Sequence, residues 1–485
     1  MTAESSREFD VIVIGAGAVG ENVADRVVRG GLTAVIIETE LVGGECSYWA
    51  CIPSKALLRP GTVLHAAQGV PGASEAVTGV VDAQAALKHR DWFTNHWQDD
   101  GQVEWLNSAG IELIRGRGRV TGPREVQVDG LDGNSYALKA HHAVVVATGS
   151  TPTIPDIDGL ADVPFWTTRG ATSAKEVPRR FIVLGGGVAG VELAQAFARL
   201  GSDVALIARG RLLSTYPEEA ASLVLAGLRA DGIDVRLHTD VDRVEKNDDG
   251  SVTVTLDGKT LTADKILVAS GRHPALANLG LENVGVEARN DRSLRVTTDS
   301  TGLVEGAASD GTSGLWLYAA GDAAGKALLT HQGKYEARAT GDAIVARATG
   351  KLHGAPRPWS PLAQTANEHA IPSVVFTDPE VASVGPSLEQ ALLRGRNVTG
   401  VELPINVSGS QLHSPDYKGW AQIVVDEDRQ VIIGATFVGP GVAELLHSAT
   451  IAIVGEVPLD RLWHAVPSYP TISEVWLRLL EKYGL

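Results

Sequence analysis

Two stretches of the chain share one pattern, and few folds can accommodate it. The first is a short apolar run, Phe9 to Ile14, then Gly15-Ala16-Gly17-Ala18-Val19-Gly20, a helical stretch from Val19 to about Arg29, and a second apolar run, Thr33 to Ile37, ending at Glu38. The second is Phe181 to Leu184, then Gly185-Gly186-Gly187-Val188-Ala189-Gly190, a helical stretch from Val191 to Leu200, and a strand from Val204 to Ile207. Short apolar runs bounded by turn residues read as parallel strands buried on both faces. A G-x-G-x-x-G between strand and helix brings backbone close to a pyrophosphate at the helix N-terminus, where free N–H groups and the dipole favour an anion. The six-residue motif alone is weak evidence. Strand, glycines, helix, strand and an acid 18 positions past Gly20, all in register, are strong evidence.

The two copies end differently. Glu38 can accept hydrogen bonds from ribose hydroxyls and would repel a 2′-phosphate. At the matching place the second copy has Ala208-Arg209-Gly210-Arg211, and a guanidinium fork suits a phosphate. The first site is therefore expected to take an unphosphorylated adenosine ribose and the second NADPH, with NADH still possible. The bland alternative makes Arg209 and Arg211 solvated loop charges.

Both cysteines of the 485-residue chain lie in Gly43-Gly44-Glu45-Cys46-Ser47-Tyr48-Trp49-Ala50-Cys51-Ile52-Pro53-Ser54-Lys55. Pro53 suits the first turn of a helix, which places Cys51 just ahead of the helix start, where a thiolate is favoured. The pair reads as a redox dithiol/disulfide with Cys51 nearest the electron source. Two unpaired core cysteines are the bland alternative. A zinc site would need a second Cys pair or clustered His, and the sequence has neither, so no metal is expected.

The length suggests roughly three domains at about 150 residues each. A net charge of −16, from 42 basic and 58 acidic residues, argues against nucleic acid or an anionic membrane as partner. Met1 to Asp10 is polar, with no signal peptide or spanning segment expected, so the chain reads as cytoplasmic and its disulfide as catalytic. From Leu57 to about Ala109 the pattern is helical, with turns at Pro60-Gly61 and Pro71-Gly72, and Trp92, Trp97 and Trp105 read as core or interface packing. Ile111 to Leu138 reads as a small antiparallel excursion, and His142 to Ala147 as a buried strand ending at Thr148-Gly149. Val235 to Thr262 alternates like a second antiparallel set, and Ile266 to Ser270 is a strand ending at Gly271-Arg272. Leu315 to Ala319 is a strand closed by Ala320-Gly321-Asp322, before a helix from about Thr330 to Thr349. Lys351 to Pro361 looks like a linker, and beyond it strands and helices form an α+β unit. The expected fold class is α/β: two Rossmann-like dinucleotide-binding domains plus a C-terminal α+β interface/dimerisation domain. The expected boundaries are 1–155 and 279–355 for the first dinucleotide-binding domain, 156–278 for the second, and 356–485 for dimerisation.

Nearly the whole chain resembles the class I pyridine nucleotide–disulfide oxidoreductases, which include dihydrolipoyl dehydrogenase, glutathione reductase and mercuric reductase. The resemblance rests on the two dinucleotide folds, Gly43-Gly44-x-Cys46-x4-Cys51-Ile52-Pro53-Ser54-Lys55, Ala147-Thr148-Gly149, Gly271-Arg272-x-Pro274, Ala320-Gly321-Asp322, and Phe376-Thr377-Asp378-Pro379-Glu380 with Gly385. It implies FAD in the first fold, NAD(P)H in the second, and a homodimer whose terminal domain completes the partner's active site. By motif, Gly15, Gly17, Gly20, Glu38, Gly44, Gly118, Thr148, Gly149, Gly271, Asp322 and Thr330 line the cofactors, as do Gly185, Gly187 and Gly190. Lys55 pairs with Glu192 beside the flavin. Cys51 is the sulfur against the flavin, and Cys46 is the one released to attack a substrate.

The family's disulfide reductases usually carry His-Pro-Thr-x-Ser-Glu near the C-terminus, with His as acid/base and Glu orienting it. The aligned residues here are Tyr469-Pro470-Thr471-Ile472-Ser473-Glu474. A phenol of pKa about 10 is a poor base at neutral pH, though it can donate a proton. Loss of a general base removes ~10²–10⁴ in rate. His464 is the alternative base, and packing at a dimer interface is the bland role for Tyr469. Tyr48-Trp49 adds bulk beside Cys46. Mercuric reductases end in a further cysteine pair, whereas this chain ends Lys482-Tyr483-Gly484-Leu485, which weakens that reading. Relatives with the His replaced are similar to NAD(P)H–quinone reductases. The expected function is therefore NADPH-dependent reduction of a small-molecule acceptor, a disulfide or quinone-like compound. The alternatives are a dihydrolipoyl dehydrogenase, a flavoprotein subunit of a complex, and a redox sensor.

Overall fold

The computed structural model describes residues 7–286, 296–308 and 315–485, and the chain divides into two compact units. The first unit comprises Met1–Ile52, Thr94–Thr153 and Arg272–Asn367. Its parallel strands lie in the order Glu112–Gly122, Ala34–Glu38, Arg7–Ile14, Ser135–Val146, Leu317–Ala319. Side chains alternate between two cores. Ile12, Ile14, Val35, Ile37, Val144 and Val146 pack on one face. Val11, Val13, Ala34, Ile36, Ala143 and Val145 pack on the other, beneath the Ala18–Arg29 helix. Burial on both faces is why these strands read as unbroken apolar runs.

Ser135–Val146 is one strand where the sequence suggested two pieces. Its first half pairs antiparallel with Glu125–Gly130, which pairs antiparallel with Glu112–Gly122, and its second half joins the parallel sheet. Exposure varies over its first eight residues and the last four, Ala143 to Val146, are continuously buried, so one strand carries two patterns.

The second unit comprises Pro53–Phe93, Ile154–Gly271 and Glu368–Leu485. It holds a parallel sheet ordered Lys265–Val268, Arg180–Leu184, Asp203–Ile207, Asp234–Arg236. Val235 thus extends this parallel sheet, and the antiparallel meander begins later, at Arg243. The C-terminal part is a five-stranded antiparallel sheet. Two of its strands, Glu380–Val384 and Val398–Pro404, were not anticipated. The helices Leu446–Val454 and Val475–Tyr483 pack into its core, where Trp476 meets Phe437 edge-on at 5.4 Å.

The expected turn at Pro60-Gly61 does not occur, because one helix runs from Cys51 to Gln68. Tertiary packing overrides the proline. Leu57 and Leu58 are buried with Leu87, Ala196 and Leu200, and the Thr62 hydroxyl donates to the Leu58 carbonyl at 3.2 Å. Trp92 is 64% exposed and is not a core residue. Residues 351–361 contain no helix or strand, as expected of a linker. Among the described residues no helix is long and apolar enough to cross a membrane.

Candidate functional site

In the first unit, packing dictates the glycine loop between Ile14 and Ala18. A Cβ on Gly20 would sit 1.9 Å from the Gly15 carbonyl oxygen, whereas one on Gly17 would meet nothing within 4 Å. The third glycine therefore lets the helix close on the strand, and the second faces open space at a helix N-terminus with no side-chain cap. A pyrophosphate fits there. Glu38 braces the loop: one oxygen accepts the Ala16 N–H at 2.7 Å and the other the Glu40 N–H at 2.8 Å. The Gly43 N–H donates to the Ala16 carbonyl at 2.8 Å, and Gly17 and Gly43 form a β-bridge. Thus the cysteine segment is seated on the glycine loop.

Cys46 lies on the short helix Gly44–Tyr48, and Cys51 is the first residue of the Cys51–Gln68 helix. No disulfide joins them. The Cys46 thiol is pushed far up, first by its hydrogen bond to Cys51 and then by burial, while Thr330 and Lys334 act the other way. Cys51 Sγ lies 3.3 Å from the Thr330 hydroxyl, at the start of the Thr330–Ala348 helix. The dithiol thus has a helix N-terminus at Cys51 and another at Thr330, and both favour a thiolate. Tyr48, one of the two bulky residues between the cysteines, turns into the core. It is 1% exposed, its hydroxyl donates to the Gln98 carbonyl at 3.3 Å, and burial pushes its pKa up to about 12.

Asp322 accepts the Ser150 hydroxyl at 2.5 Å, and burial raises its pKa. Arg272 donates to Ser150 Oγ at 2.8 Å and to the Ser150 carbonyl at 2.6 Å, and it lies 3.8 Å from Glu45, the neighbour of Cys46. Thr148 donates to the Ala275 carbonyl at 2.8 Å. Gly118 sits within its strand, where a Cβ would be 3.1 Å from Ile37. Sequence reasoning missed Glu336. It is fully buried, accepts the Gly321 N–H at 2.7 Å and an Asn367 N–H at 2.8 Å, and so holds the turn that presents Asp322. It also missed Glu21, a carboxyl that burial pushes up to about 7.

In the second unit, Lys55 Nζ donates to Glu192 Oε2 at 2.6 Å, with the carboxylate side chain 3% exposed and the lysine 33%. The other oxygen, Oε1, accepts the Phe376 N–H at 2.9 Å, and Lys55 Nζ lies 5.0 Å from the centre of the Phe376 ring. The second glycine loop repeats the first. A Cβ on Gly190 would be 2.0 Å from the Gly185 oxygen, and one on Gly187 would meet nothing within 4 Å. Gly271 has φ +126. Arg211 is tied down, donating to the carbonyls of Leu213, Ser214 and Tyr216 at 2.8–3.3 Å. Arg209 is exposed. Its loop is hydrogen-bonded to the next one, with Ala208 N–H to the Arg236 carbonyl at 2.9 Å and Thr239 N–H to the Ala208 carbonyl at 3.1 Å. This brings Arg236 and His238 beside Arg209, which no motif signalled.

Tyr469 is 75% exposed and its hydroxyl donates to Ser408 Oγ at 3.3 Å. Glu474 accepts Arg478 at 3.1 Å, while its Oε2 is buried with no hydrogen-bond partner among the described residues. No described hydrogen bond joins Tyr469 to Glu474. His464 is exposed. No group of three or more His, Cys, Asp or Glu that could hold a metal occurs among the described residues.

Comparison with known proteins agrees with this architecture. Residues 9–350 match the family described as pyridine nucleotide-disulphide oxidoreductase, and residues 371–479 match its dimerisation domain, which indicates a homodimer. The chain is 32% identical over 480 residues to a dihydrolipoyl dehydrogenase of Thermus scotoductus, covering 96% of each. It is 31% identical over 478 residues to a mercuric reductase of Shigella flexneri, covering 97% of this chain and 80% of that one. Among solved structures, the HOCl-induced flavoprotein disulfide reductase RclA from Escherichia coli, as its Cu(II) complex, superposes with a TM-score of 0.81. The identity is 23%, with 98% of this chain and 99% of that chain covered, a likeness of fold. The family is FAD-dependent and uses a pyridine nucleotide. With a glycine cradle in each fold and a dithiol seated on the first, this chain belongs to the pyridine nucleotide-disulphide oxidoreductases.

Proposed function

We propose that the chain is an NADPH-dependent flavoenzyme that reduces a small oxidant, a quinone-like compound or an unusual disulfide, with Cys46 and Cys51 as its redox pair. In this reading residues 1–155 and 279–355 hold FAD, 156–278 hold the nicotinamide nucleotide, and 356–485 form the dimer contact. FAD, when bound, accepts hydride from the nicotinamide and passes two electrons on. Around it the chain's own residues bind and orient. Gly17 and the N–H groups of the Ala18–Arg29 helix receive the pyrophosphate, with Glu38 and Asp322 at the sugar and polyol hydroxyls. Lys55, four residues beyond Cys51 on one helix and paired with Glu192, supplies positive charge to the ring. Arg209 meets the 2′-phosphate, since the Arg211 guanidinium is committed to carbonyls.

The carrying observation is at Tyr469 and Glu474. Thiol–disulfide interchange requires the Cys46 thiol to give up its proton, and the Cys51 hydrogen bond and burial both hold it on. Where the disulfide reductases place a His oriented by this Glu, the chain has an exposed phenol bonded to Ser408 and a carboxylate bonded to Arg478. A quinone needs no thiolate: quinone, NADPH and a proton give hydroquinone and NADP⁺. The test is steady-state turnover of the FAD-loaded protein with a quinone, glutathione disulfide and lipoamide, for wild type and Tyr469→His. Quinone turnover should dominate in the wild type, and Tyr469→His should raise disulfide turnover alone. Rapid lipoamide turnover by the wild type would instead favour a dihydrolipoyl dehydrogenase, the printed name of the Thermus relative.

A further inference from the structure

Beyond the motif residues, three side chains of the Val188–Arg199 helix lie on one face: Glu192, Gln195 and Arg199, spaced by three and four residues. The segment Phe376-Thr377-Asp378 runs along that face and meets them in order. The Phe376 N–H donates to Glu192 Oε1 at 2.9 Å. The Asp378 N–H donates to Gln195 Oε1 at 2.7 Å, and Gln195 Nε2 returns a bond to the Asp378 carbonyl at 2.9 Å. Arg199 Nη2 donates to Asp378 Oδ2 at 3.0 Å. The same Asp378 oxygen lies 2.5 Å from Nδ1 of His65, on the helix that carries Lys55. Gln195 is fully buried and also donates to Asp231, which Arg199 engages as well.

Two helix-interior glycines make room for this ladder. A Cβ on Gly61 would come 2.6 Å from Arg199 Cδ, and one on Gly227 would come 2.5 Å from the Asp378 carbonyl oxygen. Glycine inside a helix costs about 1 kcal/mol relative to alanine, and close approach is what accounts for it at both places. Burial works to raise the Asp378 pKa, but the His65 hydrogen bond and the Arg199 charge outweigh it and hold the carboxyl below its usual range.

We propose that Asp378 is a positioning residue for the Lys55–Glu192 pair. It anchors the strand entry so that the Phe376 amide takes one oxygen of Glu192 and leaves the other for Lys55. The Phe376 amide lies two residues from that anchor, and Glu192 lies one helical turn from Gln195. Releasing Asp378 therefore lets the amide and the carboxylate drift apart, and Glu192 then turns both oxygens to Lys55 and draws the ammonium aside. The segment belongs to the part of the chain that matches the dimerisation domain, so that domain sets the geometry of a charge pair on two other elements. This inference rests on the proposed placement of Lys55 beside the flavin.

The test measures the flavin midpoint potential of FAD-loaded Asp378→Ala, Asp378→Asn and Gln195→Met, with Lys55→Met as control. A displaced ammonium stabilises reduced flavin less, so Asp378→Ala should lower the equilibrium constant for its reduction about tenfold, or about 30 mV for a two-electron couple. Gln195→Met, which removes two rungs without removing a charge, should shift it the same way. Asp378→Asn, which keeps the backbone rungs and an acceptor for Arg199, should stay near wild type. A purely structural Asp378 would lower the melting temperature and leave the potential of the folded, loaded protein unchanged, and that result overturns the proposal. If Asp378→Ala does not fold, an unshifted Gln195→Met overturns it equally. A Lys55→Met protein with wild-type potential removes Lys55 from the flavin, and the underlying reading fails first. A shift in Lys55→Met without one in the other two variants sinks the positioning role alone.

Discussion

Replacing Lys55 by methionine isolates the energetics of the charge pair. Glu192 is 3% exposed, so the variant leaves a carboxylate inside the protein with, among the described residues, only the Phe376 amide to satisfy it. Removing one partner of a buried pair costs about 3–5 kcal/mol. The lysine is 33% exposed, so solvent screens part of the interaction, and about 2–3 kcal/mol is the better figure. Glu192→Gln should cost less, about 1–2 kcal/mol. The amide still accepts from Phe376, and the ammonium keeps both its access to water and the Phe376 face, a contact of about 0.5–1 kcal/mol. The double variant has no buried charge and should therefore be more stable than Lys55→Met alone, although it carries one more substitution. The assay is thermal unfolding followed by tryptophan fluorescence. FAD is held at one concentration because ligand shifts the midpoint by mass action. At about 2–4 °C per kcal/mol for units of this size, Lys55→Met should lose about 4–12 °C, and Glu192→Gln added to it should recover part of that loss. A double variant no more stable than Lys55→Met would refute the argument that an uncompensated carboxylate is what costs the energy.

Other consequences are more local. Titrating the FAD-loaded protein with NADPH should produce a long-wavelength absorbance from the Cys51 thiolate, absent in Cys51→Ser; its survival there would take Cys51 away from the ring. Arg209→Ala should raise the KM for NADPH far more than for NADH, while Arg211→Ala, which strips three carbonyls of their donor, should instead lower stability. Equal effects of Arg209→Ala on both nucleotides would defeat the cofactor assignment. Glu21 has its pKa raised from 4.5 to about 7 by burial, with Lys334 opposing and Glu38 adding. A raised folded-state pKa stabilises below the unfolded value and loses that contribution as pH climbs through the folded one, here about 3 kcal/mol between pH 4.5 and 8. Glu21→Gln should accordingly flatten the fall in melting temperature over that range, and parallel profiles for the two proteins would exclude the burial argument.

The parts of this molecule that could be read from sequence are those whose physics is local. A strand buried on both faces shows as an unbroken apolar run, and the glycine spacing reflects a contact, Gly20 against Gly15, made within six residues. Pro60 misled because its local preference is opposed by packing from Leu87, Ala196 and Leu200, all distant in sequence. The Gln195–Asp378 exchange and the Glu336 anchor under Gly321 join residues far apart along the chain through single polar side chains, and no periodicity encodes them. A partial signal did exist for the first: Gln195 and Arg199 continue the face of Glu192 at helical spacing, and polar residues repeating on the face of a helix that is otherwise buried ask for a partner. For Arg211 the sequence could give charge but not commitment, because the carbonyls that occupy it belong to a turn whose shape only the fold fixes.

The proposed choice of acceptor rests on where the protons are. In a dithiol flanked by two helix N-termini, Cys51 at the head of one and Thr330 at the head of the other, the favoured thiolate is the sulfur nearer those dipoles. Cys46 then donates a hydrogen bond to it and becomes harder to ionise. In the proposed reading that division of labour suits electron storage, with the proton kept on Cys46. With Cys46 as the proposed attacking sulfur it suits attack on an external disulfide poorly, because the rate falls with that sulfur's thiolate fraction. A base brought to Cys46 would reverse this, and supplying one is the purpose of the His–Glu pair in the disulfide reductases. Glu474 stands at the matching position, yet it accepts from Arg478, and its second oxygen is buried with no hydrogen-bond partner among the described residues. In the proposed reading Tyr469→His supplies such a base, and disulfide turnover by that variant should rise with pH through the imidazole range while quinone turnover stays flat.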